Sequence, residues 1–393
     1  MTVNQLKRKA IRALNALFPK NAHKVMFASM PDFSDNARAL YDYMISLPKF
    51  SSWQFVWLVK PGFVAPKRSN TLFIPSSGGF FSFNNLRYLY HLFTSKYLFC
   101  THSHYVEANP KRQVSVCLWH GTMLKRICAM NEREKNQPRK DQYRYFVSPS
   151  TFYNDYFCKS FLCSPEQVLT CGYPRNDFLF QDTSILSAVG IDKSKYKKII
   201  VYMPTFRIPE GGGYSDSDSE TPSCINLTDN SKVSELSEEL QRIGVLLVVK
   251  WHPADTRQNT IVNTSNIMSV SNRQLSTLGL QVYHLLHYAD ALITDYSSVY
   301  CDYMVLDRPI AFDITDVKSY SSKRGFVFEN PLDFMPGMKI YDDKHFLQFC
   351  TDVANNVDNY KEDRKKLSCV YNDFNDAKNC ERLAVYLGMK LIN

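Results

Sequence analysis

Three histidines follow or end apolar runs in this sequence: His102, His120 and His252. His120 sits in Cys117-Leu-Trp-His-Gly-Thr-Met-Leu-Lys-Arg-Ile127. The apolar run predicts a strand ending at Trp119, with His120 at its carboxyl end and Gly121 allowing close backbone approach. A helix after that turn would offer unpaired N–H groups to an anion. An imidazole there titrates near neutral pH and suits general-base work. The placement fits equally a hydrogen-bonded structural histidine. Val248-Val-Lys-Trp-His-Pro-Ala254 repeats the arrangement. A strand delivers Lys250, His252 and Pro253 to a loop, and the proline disfavours helix at His252. Cations at such a strand end either bind phosphate oxygens or cap the strand.

In Ala289-Asp-Ala-Leu-Ile-Thr-Asp-Tyr-Ser-Ser-Val-Tyr-Cys-Asp-Tyr303, Ala291–Ile293 reads as a strand, and Thr294, Asp295, Ser297 and Ser298 open a helix. Hydroxyls beside the free N–H groups of a helix N-terminus make an anion site without a glycine-rich loop. Asp295 is placed to cap that helix, and a phosphate could lie over the serines. Arg207 follows a Pro-Thr turn, and Arg324 precedes Gly325. Either arginine is a bidentate phosphate ligand or an isolated surface residue.

The elements that would position these groups are short apolar runs alternating with helical stretches. One series is Lys24–Ser29, Trp53–Val59, Tyr97–Thr101, Gln113–Trp119, Arg144–Val147 and Val168–Cys171; the other is Ile199–Met203, Val245–Lys250, Ala291–Thr294 and Pro309–Phe312. Continuous runs of this kind suit parallel strands covered on both faces, and the alternation predicts doubly wound α/β domains. Asp182–Lys198 is the expected boundary between two such domains, and Glu210–Ser223 reads as a mobile surface loop. Gln5–Phe18 predicts an amphipathic helix with Leu6, Ala10, Ala13, Leu14 and Leu17 on one face. Residues 1–20 hold five basic and no acidic residues. That helix either lies on an anionic membrane surface or packs on the domain with its basic face in water. Residues 125–144, with seven basic and three acidic residues, are either a track for an anionic chain or lipid headgroups, or a solvated helix face.

A chain of 393 residues, 45% hydrophobic and 22% charged, is core-forming and long enough for two domains. No apolar stretch approaches the ~20 residues of a membrane-spanning helix, and no signal-peptide pattern follows the start. The net charge of +9 favours anionic partners. Its dispersal, with aromatics in apolar runs, argues against nucleic acid. Eleven scattered cysteines without a C-x-x-C pair argue for a reducing compartment, each thiol acting as a small buried hydrophobe.

Together these motifs resemble the CDP-glycerol glycerophosphotransferase family, which builds teichoic acids and related polyol-phosphate capsule polymers. The matches are Trp119-His-Gly-Thr122, Ser148-Pro-Ser150, Gly172-Tyr-Pro-Arg-Asn-Asp177, Pro204-Thr-Phe-Arg207, Lys250-Trp-His-Pro253, Leu292-Ile-Thr-Asp-Tyr-Ser-Ser298, Asp302-Tyr303 and Arg324-Gly325. Asp32-Phe-Ser-Asp-Asn36 resembles the single-module members. Phe206 stands where the family often has Trp, and the run after Gly325 departs from the family pattern.

The resemblance implies a GT-B-like pair of Rossmann-type domains with an interdomain cleft. The expected layout is a basic helix over residues 1–20, an acceptor-side domain over 21–185, a nucleotide-donor domain over 198–375 and a C-terminal helix over 376–393. It implies transfer of glycerol phosphate or ribitol phosphate from CDP-glycerol or CDP-ribitol to an acceptor hydroxyl, with release of CMP. His120 would be the base, and His252 a second catalytic residue gripping the pyrophosphate. Arg207, Lys250, Pro253, Ser297, Ser298 and Arg324 would bind the donor, with Gly121, Asp295 and Asp302 in support. No cofactor or metal site is indicated. The acceptor would be lipid-linked or polyanionic, on the cytoplasmic face of a bacterial membrane. A GT-B glycosyltransferase using a CMP- or UDP-sugar would share this architecture. A non-catalytic scaffold would not need these site residues together.

Overall fold

Continuous apolar runs become buried parallel strands. The structure, a computed structural model, describes residues 3–75, 83–102, 105, 108–109, 111–131, 143–205, 224–227, 229–252, 263–315, 317 and 326–389. The first series of strands is β1 Asn21–Ala28, β2 Gln54–Val59, β3 Thr71–Pro75, β4 Ser95–Cys100, β5 Val114–Cys117, β6 Tyr145–Ser148 and β7 Val168–Thr170. The second is β8 Lys198–Met203, β9 Val245–Val249, β10 Ile267–Ser269, β11 Ala291–Thr294, β12 Ile310–Asp313 and β13 Met338–Ile340. All of β9 and β11 is buried, as expected for strands with helices on both faces.

Among the described residues one sheet runs β3-β2-β1-β4-β5-β6-β7 and the other β10-β9-β8-β11-β12-β13. Every pairing is parallel. Each sheet contains the 3-2-1-4-5-6 order of a doubly wound nucleotide-binding fold, in which ligands bind where the order reverses. That point lies between β1 and β4 in one sheet and between β8 and β11 in the other. Strands β3, β10 and β13, absent from the sequence reading, all lie at sheet edges. Edge strands need no long continuous apolar run, and two of these have three residues.

The chain divides into two compact units: residues 1–120, 128–177 and 376–393 form the first, and 121–127 and 178–375 the second. This departs from the linear division expected. Residues 376–393 return to the first unit. The Asp177 carboxylate accepts the N–H groups of Asn379 (3.0 Å) and Cys380 (2.9 Å) at the start of the helix Asn379–Tyr386. Gly172, at φ +78, belongs to the same contact: a Cβ there would lie 2.0 Å from Asn379 Oδ1. The polar stretch 182–198 is docked in the second unit, because Ile185, Leu186, Val189 and Ile191 are buried.

The N-terminal helix spans Val3–Leu17, but its expected apolar face is not the docked one. Ala10 and Ala13 are exposed, as are Leu14 (50%) and Leu17 (77%), whereas Asn15 is fully buried and donates to Gln113 Oε1 at 2.9 Å. The cysteines meet the expectation only in part: Cys128, Cys158, Cys163 and Cys224 are half-buried and Cys369 is exposed. The loop expected over Glu210–Ser223 lies outside the described residues.

Candidate active site

In the first unit, adjacent parallel strands bring the carboxyl ends of β1, β4 and β5 to one edge. His120 leaves β5, and its Nδ1 lies 3.0 Å from the carbonyl oxygen of Thr101, just past β4. A carbonyl only accepts, so Nδ1 carries the proton and the neutral ring keeps its lone pair on Nε2. The Thr101 hydroxyl pairs with His102 Nδ1 at 2.9 Å, and the two imidazoles stack with centroids 4.1 Å apart. Burial pushes the His120 pKa below its ordinary 6.5; the Thr101 carbonyl and the Asp35 carboxylate oppose the shift, and Arg175 adds to it. The ring is therefore neutral at pH 7 and able to accept a proton.

The backbone around this ring is strained and held. Trp119 has φ +54 and Gly121 φ +153. The carbonyls of Leu118, Trp119 and His120 all accept from side chains: Asn36 for the first two and Arg175 for the third. The helix expected after Gly121 is absent. Residues 122–127 run without regular structure, with Lys125 bridging to Phe326, followed by a 3₁₀ turn at Cys128–Met130. No helix N-terminus therefore stands directly after Gly121 to serve as an anion site beside His120. Most of the basic track 125–144 lies outside the described residues.

In the second unit the carboxyl ends of β9, β8, β11 and β12 share one edge in that order. Lys250, just past β9, is 4% exposed, and its Nζ donates to the Trp251 carbonyl at 3.0 Å. Burial lowers its pKa to about 8. His252 is exposed, and Ser297 and Ser298 are half-buried, so these three remain accessible to a ligand. Ser298 occupies the cap position of a short helix, Val299–Tyr303. Asp295, expected at that cap, is fully buried and instead receives the N–H (2.9 Å) and hydroxyl (2.7 Å) of Thr205 beyond β8. Asp302 is also fully buried and accepts the Tyr283 hydroxyl at 2.6 Å.

Asp313, at the end of β12, takes the Tyr202 hydroxyl (3.1 Å) and the Cys224 N–H (2.9 Å). Burial raises its pKa. Arg207, Pro253 and Arg324 lie outside the described residues. Among the described residues no group of three or more His, Cys, Asp or Glu side chains could hold a metal ion.

Thr101, Asp35, Asn36 and Arg175 were not singled out as functional from sequence. Asp35, Asn36 and Arg175 do lie within the motifs Asp32–Asn36 and Gly172–Asp177, whose family resemblance is the one signal the sequence offers for them.

Two doubly wound parallel sheets in one chain define a GT-B-like α/β protein. The wall teichoic acid polymerase TagF superposes with a TM-score of 0.75 at 21% identity, covering 99% of this chain and 98% of that one. A teichoic acid poly(glycerol phosphate) polymerase of Bacillus spizizenii is 27% identical over 80% of this chain and 79% of its own. A teichoic acid ribitol-phosphate primase of the same organism is 24% identical over 96% and 94%. Residues 10–387 match the family model described as CDP-glycerol:poly(glycerophosphate) glycerophosphotransferase, and the chain belongs to that family.

Proposed function

We propose that this chain transfers glycerol phosphate or ribitol phosphate from a CDP-activated donor to a hydroxyl of a lipid-linked or polymeric acceptor, in teichoic acid or capsule synthesis. The acceptor oxygen attacks the β-phosphorus while its proton passes to His120 Nε2. The bond from that phosphorus to the bridging oxygen breaks, and CMP leaves with the electron pair. Such a centre needs in-line geometry and neutralisation of oxygen charge. The reading gives the base to the first unit and the donor grip to the second. Lys250, His252, Ser297 and Ser298 would hold the pyrophosphate, with Arg207 and Arg324 by resemblance and Pro253 shaping the loop. Charge neutralisation rests on these protein groups, and no cofactor enters the scheme.

The observation that carries the proposal is the His120 Nδ1 contact with the Thr101 carbonyl at 3.0 Å, which leaves Nε2 as the basic atom in a chain of this family. The test is incubation with CDP-glycerol and CDP-ribitol on a lipid-linked acceptor, reading CMP release and product length by mass spectrometry. UDP or CMP release from a nucleotide sugar, with none from either CDP-polyol, would overturn it in favour of a glycosyltransferase.

Attachment to an anionic membrane surface belongs to the same reading. Leu14 and Leu17 on the N-terminal helix, and Phe83, Leu86 and Tyr90 on the helix Phe83–Thr94, are 50–77% exposed. Phe18, the residue after the N-terminal helix, packs on Phe93 of the second helix with ring centroids 5.1 Å apart. Apolar side chains among Lys9, Arg12 and Arg87 suit the headgroup boundary of anionic lipid. Leu14→Glu with Leu17→Glu should abolish co-sedimentation with anionic vesicles; unchanged binding would remove this part of the proposal.

A further inference from the structure

Three consecutive carbonyl oxygens, of Leu118, Trp119 and His120, are claimed by two side chains from other parts of the first unit. Asn36 Nδ2 donates to the Leu118 carbonyl (3.3 Å) and the Trp119 carbonyl (2.9 Å). Arg175 Nη1 donates to the His120 carbonyl at 2.8 Å. The donors are themselves linked: Asn36 Oδ1 accepts the Arg175 backbone N–H at 3.0 Å, and the same Nη1 pairs with Asp35 Oδ1 at 2.8 Å. Asn36 is fully buried and Arg175 is 6% exposed.

Trp119 is held at φ +54 within this grip. A non-glycine residue in that region costs on the order of 1–3 kcal/mol and persists only where the surroundings over-determine it. Such determination beside a general base fits a demand for accurate placement, since a ~1 Å error in a reacting group can cost about 10²-fold in rate.

We propose that Asn36, Arg175 and Asp35 are positioning residues for the transfer reaction: they fix His120 through its backbone, keeping Nδ1 on Thr101 and Nε2 available to the acceptor hydroxyl. This rests on the reading of His120 as the base. Among the described residues, the charged and titratable groups around the ring are the Asp35–Arg175 pair and the stacked His102 ring.

Asp35→Asn is the leading test. Asp35 stands at φ +62, a region Asn tolerates as Asp does, so the change removes chiefly the charge that aligns Arg175. The expected result is a kcat at least tenfold lower and a KM for CDP-glycerol within twofold of wild type. The ¹⁵N resonances of the His120 ring should move away from a single Nδ1–H tautomer. Arg175→Lys, which loses the rigid fork that spans two acceptors, should show the same pattern more strongly; if it does not fold, Asp35→Asn carries the test alone.

Wild-type kcat and an unchanged ring signal in the folded variants overturn the proposal. So does loss of kcat with a rising KM, a falling Tm and an unchanged ring signal, which marks a structural role only. The ring signal needs no turnover. If His120→Ala keeps full kcat, the base assignment fails by itself, and the ring signal still reports whether the three residues hold the imidazole.

Discussion

Thr205 gives both of its protons, backbone and hydroxyl, to a single oxygen of Asp295, at 2.9 and 2.7 Å. The pair joins the end of β8 to the end of β11, the neighbouring strands where the order of the second sheet reverses. Asp295 thereby fixes the strand edge that carries Ser297 and Ser298. Asp295→Ala leaves two buried donors without this acceptor, at about 1–3 kcal/mol each. We expect a loss of about 2–4 kcal/mol in urea unfolding, with weaker CDP-glycerol binding by calorimetry. Asp295→Asn, which keeps a carbonyl oxygen, should lose less of both.

His120→Ala should separate chemistry from binding. A positioned general base contributes about 10²–10⁴-fold, so kcat should fall by that factor while donor affinity stays within a few-fold of wild type. Ser298→Ala should instead weaken donor binding. An alanine variant at 120 with wild-type kcat would remove the base from this scheme.

The pH profile of kcat/KM should be bell-shaped, because that quantity reports the ionisations of the free enzyme. Burial depresses the His120 pKa from 6.5, so the ring stays neutral and basic until the pH falls below 6.5, and the acid limb lies there. Burial brings Lys250 down to about 8. Its charge, and its attraction for pyrophosphate, is lost as pH rises through that value, which sets the alkaline limb. In Lys250→Arg the guanidinium stays charged, so the alkaline limb should vanish from that region. A limb near 8 persisting in an active Lys250→Arg enzyme would contradict this assignment.

The central strands and the His120 turn were legible because buried parallel strands write continuous apolar runs and because strand ends carry His-Gly and His-Pro. Strands β3, β10 and β13 were not, since at an edge neither length nor full burial is required. Asp295 looked like a helix cap because Asp-Tyr-Ser-Ser fits that pattern locally; its partner Thr205 is distant in sequence, and only the sheet brings them together. Asn36 and Arg175 were hidden for the same reason. Each reaches His120 through backbone carbonyls, and a contact to backbone leaves no complementary residue type at the other end. The sequence marks a C-terminal helix but not its place in the first unit, because nothing local signals that Asp177 receives its first N–H groups.

That last contact makes a prediction about a distant segment. Asp177 is 7% exposed and accepts from Asn379 and Cys380 at 3.0 and 2.9 Å, placing a carboxylate at a helix N-terminus. It belongs to the same 3₁₀ run, Pro174–Phe180, as Arg175. Arg382 adds a second tie, its Nε donating to the Cys171 carbonyl at 3.2 Å. Asp177→Ala strips two buried N–H groups of their acceptor and should cost about 2–4 kcal/mol in urea unfolding. Because the helix steadies the turn bearing Arg175, kcat should fall even at temperatures where the variant stays folded. Asp177→Asn retains an acceptor oxygen and should recover part of both losses. If Asp177→Ala lowers stability but leaves kcat at the wild-type value in the folded protein, the C-terminal helix supports the fold without serving His120.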